Sequence, residues 1–266
     1  MQLTRRVALN GQQLDAVDSR IVISSVEPQD GRENITAADT AAGFGQRITG
    51  RRRSTLDIIV KFRILEKGHS VAGETARALV LEKVNAWAAA GGVLTTNYKT
   101  GRQLNVVLAQ APGEGSLWDY THEYQITFRA YAVPYWEDST ESTQVIGTDD
   151  DSGSESFTVG GSAEAQIDAE IENTSGTTLT SVTLNVSGKF MYFTGLAVAD
   201  GEKLVIDHVN GLIRIRTTSG TSYADAMACR TAASVDDLTA APGARACVYS
   251  ADQDCTVTVK WRNRYL

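Results

Sequence analysis

The stretch Tyr131-Ala132-Val133-Pro134-Tyr135-Trp136 divides the chain into two β-rich halves. Residues 121–131 lead into it with alternating apolar and polar side chains, which is the period of a half-buried strand. Pro134 has no backbone N–H and biases the preceding residue away from helix, so regular strand pairing is expected to stop here. Two large aromatic rings follow, and such rings are costly to leave in water. Two readings fit this pattern: an ordinary strand end, or a fixed elbow between two domains.

Residues 1–136 before this point are predicted to form one β domain with a single helix. Asn10-Gly11 between short apolar runs predicts a tight hairpin. The clearest strand is residues 55–65, where apolar side chains alternate over the whole run, so we expect a central strand there. Residues 74–90 change to helical period, with one apolar stripe that includes Trp87, and Gly91-Gly92 ends the helix.

Between two strands of this first domain, residues 27–53 are polar and rich in glycine. They are expected to form a long loop or an extended hairpin arm. A cluster of basic side chains near its end could bind carboxylates of a partner, or could be a solvated charged run. The cluster consists of Arg47, Arg51, Arg52 and Arg53.

The second half begins with residues 137–155, which are rich in Ser, Thr, Asp and Gly and are predicted to be a surface connection. Their aspartates do not follow the calcium-binding EF-hand pattern, because Gly153 stands where an oxygen ligand is needed. Residues 156–266 contain short apolar runs at regular spacing and a second Asn-Gly hairpin at Asn210-Gly211. This pattern predicts an all-β sandwich or jelly roll.

Charge is distributed unequally over the 266 residues, whose net charge is −7. Residues 1–140 contain 16 Lys+Arg and 15 Asp+Glu, and residues 141–266 contain 9 and 17, so the two parts carry +1 and −8. An acidic second half argues against sequence-specific nucleic-acid binding. No apolar run approaches membrane-spanning length, so no membrane partner is expected. The three cysteines (Cys229, Cys247 and Cys255) are predicted to be buried free thiols.

Catalytic and metal-binding patterns are not found in the sequence, and no cofactor is predicted. The histidines His69, His122 and His208 have no cysteine or second histidine at metal-ligand spacing. Asp207 and His208 imitate part of a catalytic triad, but adjacent side chains of a strand point to opposite faces. We therefore expect that the protein is not an enzyme.

Several segments, taken in order, resemble the distal tail proteins of long-tailed bacteriophages with non-contractile tails. These segments are Tyr131–Trp136, Gly201–Asp207 (GEKLVID), Ala241-Pro242-Gly243 and the C-terminal Val259–Leu266 (VKWRNRYL). The resemblance covers nearly the whole chain, and its specificity lies in the order of these segments.

The resemblance implies a structural protein of the virion tail, assembled in the bacterial host cytoplasm. The first domain would form a ring, usually hexameric, that continues the tail tube and has a lumen for DNA. The second would be a galectin-like β sandwich. Partners would be the tail tube protein and the tail-tip, tail-associated lysin or baseplate proteins. The arginines Arg47, Arg51, Arg52 and Arg53 become candidate subunit contacts, and Tyr131, Pro134, Tyr135 and Trp136 become the candidate elbow between the domains.

An alternative function is a carbohydrate-binding module of the tail that contacts the host cell surface. Galectins bind sugar through a cluster of His, Asn, Arg and a stacking Trp. The second domain has one histidine, His208, and one tryptophan, Trp261, and the sequence shows no such cluster.

Overall fold

A computed structural model describes residues 5–29, 33–39, 46–53, 55–65, 71–112, 123–131, 133–208, 211–216 and 222–266. The protein is mainly β, as predicted, and its described residues contain one α-helix. The chain divides into two units, Met1–Trp136 and Glu137–Leu266, each with its own set of internal contacts. None of the described helices is long and apolar enough to cross a membrane.

The first unit is an antiparallel sheet with one helix and a separate hairpin. Numbered along the chain as given below, the strands of its sheet have the order β2-β1-β7-β8-β9-β6-β3. Among the described residues, β4 pairs only with β5. The elements are β1 (Val7–Leu9), β2 (Gln12–Gln13), a 3-10 turn (Leu14–Ala16), β3 (Ile21–Gln29), β4 (Glu33–Asp39), β5 (Gln46–Arg53), β6 (Leu56–Ile64), α1 (Val71–Ala89), β7 (Gly92–Thr96), β8 (Arg102–Gln110) and β9 (Glu123–Ala130).

Strand β6 lies inside this sheet, because β3 pairs with one of its edges and β9 with the other. Its alternate side chains Ile58, Val60 and Phe62 are fully buried. The predicted central strand is therefore confirmed. The predicted hairpin is confirmed as well, since Asn10 and Gly11 both have positive φ, at 51° and 82°, as a two-residue type I′ turn requires.

Helix α1 begins three residues earlier and ends one residue earlier than the sequence predicts. The Trp87 ring meets Phe128 of the sheet edge-on, with 5.8 Å between ring centroids, and its indole N–H donates to the Gln12 carbonyl at 3.1 Å. The apolar stripe of the helix is thus core, as its spacing indicates.

The arm predicted between residues 27 and 53 takes the hairpin form of the two that the sequence allows. Its backbone pairs antiparallel from Glu33 opposite Arg53 to Asp39 opposite Gln46. The pairing shifts by one residue between Thr36 and Ala37, which is a β-bulge.

The second unit is a sandwich made by one sheet that folds back over itself. The short strand β10 (Trp136–Asp138) crosses the boundary between the units. The other elements are β11 (Ser142–Val159), β12 (Ala165–Asn173), β13 (Leu179–Val186), β14 (Lys189–Val198), β15 (Lys203–Asp207), β16 (Leu212–Arg216), β17 (Tyr223–Asp225), a 3-10 turn (Met227–Cys229), β18 (Thr239–Ala240), β19 (Gly243–Trp261) and β20 (Arg264–Tyr265).

Two long strands, β11 and β19, pair along their whole length and belong to both layers. Residues 247–251 of β19 pair with β13, and residues 255–261 pair with β12. We call β14, β13 and the adjoining halves of β19 and β11 layer A. Layer B consists of β17, β16, β15, β12 and the other halves. Side chains from both layers, such as Phe193 and Ile206, belong to one buried cluster.

The prediction that residues 137–155 are a connection is wrong, because most of them belong to β11. Their polar, glycine-rich composition marks the corner where the strand passes from one layer to the other. The pairing register with β19 shifts repeatedly between Val145 and Ser152, and Asp149 has a φ of 51°. A Cβ on Gly147 would lie 2.1 Å from the buried Tyr249 hydroxyl oxygen, so this corner needs glycine.

Candidate functional site

The outer face of layer B carries nine charged side chains, five acidic and four basic. Alternation along the strands turns these side chains outward, because their neighbours on each strand are buried in the core. We call this surface the charged face. Its charged residues are Asp168, Glu170, Glu172, Lys203, Asp207, Arg214, Arg216, Asp225 and Lys260.

Ion pairs within the charged face satisfy most of these side chains. Lys260 Nζ lies 2.7 Å from Glu170 Oε1, and Arg216 approaches the same carboxylate at 3.6 Å. Lys203 Nζ lies 2.6 Å from Glu172. Burial opposes ionisation of Glu170, but the hydrogen bond and charge of Lys260 outweigh it and lower the pKa of that carboxyl.

Asp168 differs from the other carboxylates of this face. It lines a pocket with Glu170, Asp207 and Lys260. One of its carboxylate oxygens accepts the His208 backbone N–H at 2.8 Å. Burial raises the pKa of Asp168 to about 6, because a charged carboxylate loses its hydration there.

The Asp207-His208 pair does not form part of a triad in the structure. The His208 ring is 5% exposed, and its Nδ1 lies 3.3 Å from Asp237. Asp207 instead lies 4.0 Å from Arg214 on the charged face. Burial lowers the pKa of His208 against the opposing effect of Asp237. The sequence did not indicate Asp237, because nothing in a spacing of 29 residues predicts that contact.

The outer face of layer A has a different composition, and we call it the uncharged face. Two rows of side chains cross its four strands, and none of the eight is charged. One row is Tyr192, Thr183, Ser250 and Ser152, and the other is Phe190, Asn185, Val248 and Ser154. The rings of Phe190 and Tyr192 are parallel within 4°, with centroids 5.6 Å apart. Phe190 and Val248 are 37% and 41% exposed.

The sequence-predicted interface arginines are in or beside the arm. Arg47, Arg51, Arg52 and Arg53 belong to β5, whose backbone pairs with β4. Their side chains lie outside the described residues, so their role as subunit contacts stays a prediction.

The candidate elbow residues lie in different environments. Tyr131 is 59% exposed, with the Arg129 guanidinium 5.8 Å from its ring centroid. Trp136 is 3% exposed and meets the Tyr98 ring edge-on, with centroids 5.9 Å apart. Pro134 and Tyr135 are half-buried. The elbow role of these residues stays a prediction.

The described part of the chain contains no group of three His, Cys, Asp or Glu side chains placed to hold a metal ion. All three cysteines are free thiols. Cys247 and Cys255 are buried, as predicted, and burial raises the pKa of each thiol to about 12. Cys229 is half-buried, so the prediction of burial holds for two of the three.

The succession of a helix-bearing β unit and a folded-sheet sandwich has a counterpart among solved structures. The chain has the fold of the Dit protein of phage SPP1, whose structure is described as a paradigm of the hub adsorption apparatus in phages that infect Gram-positive bacteria. The TM-score is 0.69 at 15% identity, over 98% of this chain and 99% of that chain. The sequence resemblance to distal tail proteins is thereby confirmed at the level of the fold.

Two structures of the phage P2 baseplate in its activated conformation, with Ca and with Sr, are similar more weakly. Their TM-scores are 0.48 and 0.47, at 9% and 8% identity, over 98% and 97% of this chain and 98% of each compared chain. No protein-family model matches the sequence, and no curated protein matches it.

Proposed function

We propose that this protein is a structural component of a phage tail, the hub ring that joins the tail tube to the tail tip or baseplate. The observation that carries the proposal is the similarity to SPP1 Dit over nearly the full length of both chains. A likeness of one domain alone would support only a common building block. The order of both units, from the arm to the C-terminal strand, supports a common role.

In this proposal residues 1–136 form a ring, hexameric and with a lumen for DNA, and residues 137–266 form a sandwich outside it. A ring needs a heterologous surface on each protomer, with one patch on each side of the subunit. The β4–β5 hairpin suits such a patch because it pairs with no other strand of the described chain. The arginines of β5 would then bind carboxylates of the neighbouring subunit.

Charge reversal of Arg51, Arg52 and Arg53 to glutamate tests this arm. We expect the variant to fold, as judged by circular dichroism, and to lose ring assembly in mass photometry. A control with the exposed cations Arg6, Arg63 and Lys83 changed to glutamate alters the net charge equally and should still assemble. Equal assembly of both variants would show that the three arginines of β5 are solvated and are not needed for subunit contact.

The elbow is tested separately. Trp136→Ala removes a buried ring, and we expect it to loosen the spacing between the sandwich and the ring domain in small-angle scattering. Leu79→Ala, at a position of α1 that is 53% exposed, is the control. An unchanged scattering curve for Trp136→Ala would reduce Tyr131–Trp136 to an ordinary strand end.

Carbohydrate binding is a second candidate function, and the uncharged face favours it. Aromatic rings beside hydroxyl and amide groups suit a neutral sugar, whose C–H groups pack on rings while its hydroxyls form hydrogen bonds. This surface differs from the sugar site of galectins, which the sequence lacks. Phe190→Ala with Tyr192→Ala should abolish any binding of the full chain to a glycan array, whereas Val145→Ala on the other layer should not. Absence of binding by the wild-type chain removes this candidate.

A further inference from the structure

A segment of the second unit covers the free edge of the sandwich. Residues 230–238, which we call the strap, run along β14, the outermost strand of layer A. The Thr231 N–H donates to the Tyr192 carbonyl at 2.9 Å, and the Val235 N–H donates to the Phe190 carbonyl at 2.9 Å. The Ser234 hydroxyl oxygen accepts the Tyr192 N–H at 2.9 Å. The strap therefore pairs backbone groups that an edge strand would otherwise expose.

The far end of the strap contacts the other layer at the His208 imidazole and at β12, with which the following strand β18 also pairs. The Leu238 N–H donates to Nε2 of His208 at 3.3 Å, and Asp237 approaches Nδ1 at 3.3 Å. The Leu238 carbonyl accepts the Ile167 N–H at 2.9 Å. His208 thus contacts two consecutive residues of the strap.

These contacts define the protonation state of the ring. Nε2 accepts a hydrogen bond from Leu238, so it carries no proton, and Nδ1 must be the nitrogen that donates to Asp237. A second proton would have to bind at Nε2. There it would face the Leu238 N–H, and two donors cannot pair. The charged imidazolium is therefore incompatible with the observed attachment of the strap.

We propose that His208 is an acid-sensitive latch, whose neutral ring holds the strap on the sheet and whose protonation at Nε2 releases the strap and uncovers the edge of β14. The released edge would present the carbonyls of Phe190 and Tyr192. An edge of this kind can accept a strand from another chain.

The groups around the ring determine where release occurs. Burial and the charge of Arg230 on the strap disfavour the imidazolium, whereas Asp237 on the strap and Asp207 on the same hairpin favour it. Burial dominates, so the pKa of His208 lies below its ordinary value. Asp168 is the other titratable group in contact, and it accepts the backbone N–H of His208.

Hydrogen exchange of the full chain, read by mass spectrometry on peptides that cover the strap, tests the latch. After correction for intrinsic rates, exchange of the strap should accelerate by up to about tenfold for each pH unit below roughly pH 6.5, where a free histidine begins to protonate. Peptides from the buried part of β19 should keep their protection.

Four variants separate the titration of His208 from that of the other histidines and of Asp168. His208→Gln keeps an acceptor for Leu238 and cannot titrate, so its strap should stay protected at both pH values. His69→Gln and His122→Gln should respond as the wild type does. Asp168→Asn still accepts the His208 N–H, so its acid response should remain.

Asp237→Asn gives an independent test should His208→Gln fail to fold. Asp237 is 59% exposed, and its charge favours the imidazolium only while the strap is attached, so Asp237→Asn should keep the onset near pH 6.5 and increase the acceleration of exchange at lower pH. An acid response that is absent from the wild type, or that persists in His208→Gln, would overturn the proposal. Loss of the response in Asp168→Asn would assign the switch to Asp168 instead, and a smaller acid response in Asp237→Asn than in the wild type would also count against the latch.

Discussion

The two outer faces of the sandwich differ although the two layers share one core and two long strands. The charged face carries five carboxylates and four cations, most of them paired with one another. The uncharged face crosses four strands with two rows of hydroxyl, amide, aromatic and aliphatic side chains. The inner face of each layer must fill the common core, so packing restricts the side chains that it can carry. The outer faces are not restricted in this way, so their composition can differ.

A face whose charges are already paired has little to gain from a partner, because docking would have to desolvate those ion pairs. Interfaces are depleted of charge at their centre and enriched in aromatic residues. Phe190, Tyr192 and Val248 fit that description on the uncharged face. The uncharged face therefore has the composition typical of a protein interface, and the charged face does not.

The largest stability effect is expected at a buried ion pair of the second unit. Arg264 Nε lies 2.8 Å from Glu137, both side chains are about 10% exposed, and Arg264 also donates to Gln166 of β12 at 2.7 Å. Glu137→Gln leaves the guanidinium buried without its countercharge. We expect a loss of about 3 kcal/mol in the free energy of unfolding, measured with urea.

The matched control for this pair lies on the charged face itself. Glu172→Gln breaks the ion pair with Lys203, whose two side chains are about one third exposed. Its cost should stay below about 1 kcal/mol. Equal costs for the two variants would mean that burial does not distinguish the two ion pairs.

A smaller effect, with opposite sign, is expected at Asp168. The pKa of this carboxyl is about 6 in the folded protein against an ordinary value of 3.8. A raised pKa means that the carboxyl favours folding below its unfolded value, and that this contribution is lost as the pH rises through about 6. Asn cannot ionise and still accepts the His208 N–H, so Asp168→Asn should be more stable than the wild type by roughly 1–2 kcal/mol near neutral pH.

Urea unfolding at two pH values checks the sign. The gain of Asp168→Asn should vanish below the ordinary pKa of aspartate, where the wild-type carboxyl is neutral in both states. The titration of His208 is common to both proteins and cancels in the difference. A variant that is less stable than the wild type at neutral pH would show that the ionised carboxylate is stabilising there.

The smallest stability effect belongs to the uncharged face. Val248→Thr keeps the shape and the β-branch of an exposed side chain, so the free energy of unfolding should change by less than about 0.5 kcal/mol. Binding of other molecules by the uncharged face should weaken nonetheless, because an exposed apolar side chain is replaced by a polar one. Val145→Thr, exposed on layer B, should affect neither quantity. Equal effects of the two variants on this binding would show that the two faces do not differ in it.

Local patterns in the sequence predicted most of the fold. The alternation in β6 and the Asn10-Gly11 turn are short-range signals, and both are confirmed. The corner of β11 was mistaken for a connection, because Asp, Gly and Ser suit a bent strand and a loop equally. Strand β19 has the same feature, since Ser250, Asp252, Gln253 and Asp254 stand where the strand passes between the layers.

The site could be predicted far less well than the fold. Phe190 and Val248 come together through pairing across β13, and His208 meets Asp237 through the path of the strap. These contacts depend on tertiary structure and leave no mark in residue spacing. The resemblance to distal tail proteins was inferred from the order of segments along the whole chain, and the fold matches that of SPP1 Dit over the same extent.

Mass photometry combined with negative-stain microscopy of the purified full chain tests the central claim most directly. The account predicts closed rings with a central opening, hexameric in mass, alone or once the tail tube protein is added. A chain that stays monomeric at every concentration, with and without that neighbour, would contradict it.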